Sequence, residues 1–187
     1  SHIINSDFFL IEKHEFFVKQ TLRNRCDILT SSGPIRLSIP LVHHSDKEIV
    51  SQKRIAYAEK WQQQHWRTIT TAYKNSPYFE FFEHEFKPFY DQQFEFLLDY
   101  NSQMLKTILN ILRIKKEVEF TSQFETTLTN KTDLRNFNEL TDSEKLMLQP
   151  YYQVFKSKLG FTPNLSCLDA LFNVGFDVIN TCQVSKI

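Results

Sequence analysis

The sequence predicts an α/β domain: a mainly parallel sheet with an added antiparallel β-hairpin, flanked by helices, with an α+β arrangement as the alternative. Three observations carry this. Strand-like alternation surrounds a turn at Ser31-Ser32-Gly33-Pro34, the apolar period becomes helical near Glu59, and short apolar runs recur between the helical stretches. The 187 residues suit a single domain over 1–187 and suffice to bury a core.

Residues 7–12 form a short apolar run between polar ends and read as a buried strand. In the hairpin, Cys26, Ile28 and Thr30 alternate with polar neighbours, as do Ile35, Leu37, Ile39 and Leu41. That pattern gives one wet face, and Pro40 puts the second strand at an edge. From about Glu59, the residues Trp61, His65, Ile69, Ala72 and Tyr73 share a helical face. Ser76-Pro77 reads as an N-cap followed by proline at the first helical position, and Phe79, Phe82 and Phe86 line the next helix until Pro88. A third helical stretch covers about 92–114, with Asp99-Tyr100-Asn101 as a break or cap midway. Val118 and Phe120 mark a strand, residues 126–138 a polar surface loop, and Thr141 with Glu144 a capping box. Residues 151–156 read as another strand. A second capping box, Ser166 with Asp169, opens a last helix that stops at Gly175.

Composition narrows the function classes. Lys+Arg and Asp+Glu are 22 each, so the chain lacks the basic excess that drives general affinity for nucleic acid or acidic membranes. Eighteen Phe and seven Tyr stand against three Gly, which favours buried rings over phosphate-cradling glycine loops. Cys26, Cys167 and Cys182 are odd in number and lack Cys-x-x-Cys spacing, so they read as reduced core thiols of a cytoplasmic protein. No run reaches membrane-spanning length and no signal peptide is visible. His43-His44 point apart in an extended chain and no His-x-x-x-His occurs, so neither a metal nor any other cofactor is expected. Nothing in the sequence fixes an oligomeric state.

Two groups of residues have the chemistry to form a site. Written as a strand, residues 19–25 place Lys19, Thr21, Arg23 and Arg25 on one face, with cations about 7 Å apart where they stand two residues from one another. Such a row, with Asn24 beside it, suits an extended anion, and arginine offers it paired hydrogen bonds. The plainer reading is a solvated face matched by nearby glutamates. The second group is Trp61 to Tyr73. His65 has the ordinary pKa of a general acid or base but no acidic residue one turn away, so any partner comes from elsewhere in the fold. Its plainer reading is an inert histidine in the core-facing stripe, the more common case. Arg67 lies on the adjacent face, and Tyr73 with Trp66 and Tyr78 offers rings on which a sugar or base could stack.

Many short motifs run in a recognisable order. They are Lys19-Gln20-Thr21, Arg23-Asn24-Arg25, Gly33-Pro34, Ile39-Pro40, Gln64-His65-Trp66-Arg67-Thr68 and Ala72-Tyr73, then Ser76-Pro77-Tyr78-Phe79 and Lys87-Pro88-Phe89-Tyr90. Toward the end come Tyr152-Gln153-Val154-Phe155, Gly160-Phe161, Asn164-Leu165-Ser166 and Leu168 to Asn173. Together they resemble the WbqC-like protein family of bacteria, whose members are linked to O-antigen and related surface-polysaccharide gene clusters. The resemblance implies a role in surface-polysaccharide biosynthesis, as a transferase using a nucleotide- or acyl-activated donor. In that role Lys19, Arg23, Asn24, Arg25, Arg67 and Tyr73 would bind an anionic or sugar substrate and His65 would handle a proton. The alternative is a non-catalytic assembly module of the same pathway, docking through Phe79, Phe82 and Phe86. The family pattern also implies a strand and helix ahead of Ser1.

Overall fold

A computed structural model describes residues 2–43, 45, 47–128, 132–135 and 149–181. The capping box at Thr141, the thiol of Cys182 and residues 129–131 and 136–138 of the polar loop lie outside these residues. The order is α1 (His2–Asn5), β1 (Leu10–Ile11), β2 (Arg25–Thr30), β3 (Gly33–Ser38), α2 (Trp61–Tyr73), α3 (Phe79–Phe86) and α4 (Pro88–Asp91). Then follow α5 (Leu97–Ile111), β4 (Glu119–Phe120), α6 (Lys156–Leu159), α7 (Cys167–Val174) and α8 (Val178–Thr181). The class is mixed α/β.

The hairpin forms as the alternation predicts: β2 and β3 pair antiparallel from Arg25 opposite Ser38 to Thr30 opposite Gly33. Gly33, at φ 115°, takes the turn conformation that favours glycine. Parallel pairing is confined, among the described residues, to Leu10 with Glu119 and Ile11 with Phe120, so the mainly parallel sheet expected above is not what these residues form. Their helices outweigh both small sheets.

Helix α2 holds the centre. Trp61, Ile69, Ala72 and Tyr73 are buried on the face its spacing predicts. Phe79, Phe82 and Phe86 of α3 are buried too, and Phe79 and Phe86 pack edge-on against Phe172 of α7. At the start of α3, Ser76 departs from expectation. Its hydroxyl is buried without a partner among the described residues, and the helix begins two residues after Pro77, through a turn in which Phe79 N donates to the Ser76 carbonyl at 3.2 Å. No break occurs at residues 99–101 either. Asp99 sits in the first turn of α5, where its charge suits the helix dipole, and the Asn101 side chain reaches out to the Arg23 carbonyl at 2.7 Å.

At the carboxyl-terminal side, Ser166 caps α7 by accepting from Leu168 N, and Gly175 ends it at φ 63°. A Cβ at Gly175 would meet the Tyr78 ring at 2.7 Å, so this turn tolerates only glycine without a shift. Residues 151–156 form no strand. Gln153 holds the segment instead, donating to the Thr162 carbonyl and accepting from Thr162 N, each at 2.9 Å.

Candidate functional site

Residues 19–25 are not a strand. Gln20 is left-handed at φ 63°, Thr21 Oγ1 donates to the Val18 carbonyl, and Leu22 to Asn24 turn as one short 3₁₀ segment. The sheet ladder starts only at Arg25: Ile39 N still donates to the Asn24 carbonyl at 2.9 Å, but the 3₁₀ turn has already carried the chain out of the extended form. The expected row of cations is therefore scattered. Lys19 is exposed, Asn24 binds the Ile39 carbonyl at 2.9 Å, and Arg25 Nε is buried without a partner among the described residues.

Arg23 alone turns inward to a large cleft. Its Nε and Nη2 donate to Glu15 Oε1 at 3.1 and 2.5 Å, and Nη2 also donates to the Arg135 carbonyl at 3.1 Å. The pair is mostly covered, with side chains 20% and 15% exposed, so it is held more firmly than a surface ion pair. The cleft encloses about 1150 Å³ between the stretch carrying α1 and β1, helix α5, and residues from 120–128 and 132–135. Leu97, Leu98 and Leu105 of α5, with Ile11 and Val50, form its apolar floor. Glu12 stands on one wall, where its Oε1 accepts from His14 N at 2.7 Å and Thr121 Oγ1 at 2.9 Å. Lys116 ties the amino-terminal wall down by donating from Nζ to the carbonyls of Ile3 at 2.5 Å, Ile4 at 3.1 Å and Ser6.

Of the other predicted site residues, none lines this cleft. His65 is half-buried in α2 and meets Trp61 edge-on, ring centres 5.1 Å apart. Burial lowers its pKa to about 4, so it is neutral at physiological pH. Arg67 is exposed. Trp66 spends its ring on Phe79 and Tyr90. Tyr73 is wholly buried, accepting from Leu29 N at 3.0 Å and donating to Asp169 Oδ1 at 2.8 Å.

That last contact leads to a cluster the sequence reading overlooked. Asp169 is 0% exposed, and its carboxylate does not close the capping box, because Ser166 N donates to the Asp27 carbonyl instead. Its Oδ2 accepts from Tyr151 Oη at 2.6 Å and Gln153 Nε2 at 2.9 Å. Burial raises the Asp169 pKa, and the three donors oppose that rise. Of the cysteines, Cys26 is pushed up to about 11, chiefly by burial, whereas Cys167 is exposed at the start of α7 rather than in the core. Among the described residues, no group of three or more His, Cys, Asp or Glu is placed to hold a metal ion, and no helix is long and apolar enough to cross a membrane.

The model of the WbqC-like protein family matches residues 1–148. The chain belongs to this family. Every described residue lining the cleft falls inside the span matched to the WbqC-like family, whereas Asp169 and its partners Tyr151 and Gln153 fall after it. A search of curated proteins and one of solved structures each found no match.

Proposed function

We propose that this WbqC-like chain is a transferase of surface-polysaccharide (O-antigen type) biosynthesis and that its substrates occupy the cleft at Arg23. The observation that carries the reading is the cleft itself. At about 1150 Å³ it exceeds the roughly 300–1,000 Å³ that holds one small ligand, leaving room for a donor and an acceptor together. An apolar floor and a few fixed polar groups are the composition such sites share. Among the described residues of the lining, five carboxylates against two guanidinium groups favour an acyl donor free of phosphate over a nucleotide diphosphate. Glu12 and Glu15 are its proton acceptors in this reading, a role His65 does not take from outside the cleft. Docking through Phe79, Phe82 and Phe86, the form given to the assembly-module alternative, has little to support it because those rings are buried.

A thermal-shift screen of acyl donors and nucleotide sugars tests the proposal. A ligand present at one hundred times its Kd stabilises the folded state by about 2.7 kcal/mol, a readily measured rise. Stabilisation by an activated donor, lost on Leu105→Trp, which fills the floor, is the expected result. No response from any donor at millimolar concentration would sink it.

A further inference from the structure

We infer that the second substrate in the cleft is an amine-bearing sugar, recognised through Glu12; the inference rests on the cleft being the substrate site. The cleft's charge is lopsided. Among the described residues, Asp7, Glu12, Glu15, Glu125 and Asp133 line it, against Arg23 and Arg135. Both arginines are already engaged: Arg23 by Glu15, and Arg135 by Asp133 at 2.6 Å, with the charges of Glu12 and Glu15 acting on Arg135 from farther off. Glu12 is different in kind. Its Oε1 is fixed by a backbone N–H and a hydroxyl, while Oε2 has no hydrogen-bond partner among the described residues. A carboxylate oriented through one oxygen and open at the other presents an acceptor of set direction to whatever enters. An ammonium or amine donor satisfies it with a charge-assisted bond, whereas a hydroxyl gains less and an anion is repelled. The apolar floor of α5 lies beneath the same space, as a sugar's less polar ring face requires.

Calorimetric titration of the full chain with glucosamine, glucose and N-acetylglucosamine tests this. Glucosamine is expected to bind about tenfold more tightly than the other two, the margin of one charge-assisted hydrogen bond. Glu12→Gln keeps an oxygen for Thr121 and His14, so its melting temperature should match the parent while the preference for glucosamine disappears. Equal binding of the three sugars, or a preference that survives Glu12→Gln, would overturn the amine assignment and leave the cleft standing. Binding of all three that persists in Leu105→Trp would instead place the sugars elsewhere, and would overturn the cleft reading along with it.

Discussion

Asp169 and Glu15 are both carboxylates gripped by side-chain donors, yet they serve different ends. Asp169 is sealed, with three donors from two parts of the chain: Tyr73 of α2, and Tyr151 with Gln153 from the segment before α6. Removing a charge from water costs several kcal/mol unless every lone pair finds a partner, so this group persists only because the surroundings answer it. Glu15 answers a single arginine at the edge of a large cleft, and water or a ligand can replace either partner. Full satisfaction makes a joint; partial satisfaction leaves a group able to exchange. The first kind fastens the segment beyond residue 148 to the core, and the second lies within the family-matched span.

Asp169→Asn should have the largest effect on stability, about 3 kcal/mol, because an amide turns a donor toward groups that themselves donate. Denaturant melts would measure it, and a loss under about 1 kcal/mol would remove the distinction drawn here. The pH dependence sharpens the same point. With its folded pKa raised by burial, Asp169 contributes stability that is present below the ordinary aspartate range and declines as pH rises through the folded value. Asp169→Asn should flatten that decline.

His65 gives the opposite slope and a smaller effect. Its pKa is lowered from 6.5 to about 4, so its contribution is present above 6.5 and is lost as pH falls toward 4. Allowing for partial exposure, that loss is about 1–2 kcal/mol. His65→Gln should remove this acid-side slope in melts taken across pH 4–7; an unchanged slope would mean the ring is hydrated in solution.

The smallest stability change is expected at the cleft. Arg23→Ala together with Glu15→Ala should cost about 1 kcal/mol or less, since both ends of the pair are removed and water can enter. Ligand-induced thermal shift should nevertheless vanish in the double variant. A large destabilisation with ligand response intact would reverse the roles of the two regions.

Much of the scaffold was readable from residue spacing. The hairpin and α2 declare themselves because strong periods of two and 3.6 leave little choice of face, and Ser166 and Gly175 mark both ends of α7. Residues 19–25 leave the strand that their alternation suggests because Gln20 turns left-handed and Leu22 to Asn24 coil, which side-chain alternation does not report. Arg23 was recognisable as a candidate, but its setting was not. The cleft joins stretches near residues 10, 100, 120–128 and 132–135, and no local pattern encodes their meeting. Asp169 had a signal that was passed over: an acid inside the run Leu168 to Asn173, all of it buried. The capping box gave that acid a ready explanation and hid the better one.

The seam between β1 and β4 sets how the cleft can move. Two residue pairs make the strand pairing, supplemented by Thr121 N to the Ile11 carbonyl and by Thr121 Oγ1 to Glu12 across 109 positions of sequence. Closing so long a loop carries an entropic cost that a handful of hydrogen bonds only modestly exceeds. The seam therefore belongs to the low-free-energy end of local opening, well below the ring-packed centre around Phe172. Its amides act as a natural gauge of the cleft: a ligand bridging the two walls suppresses their exchange with solvent, while the hairpin amides keep their own rate.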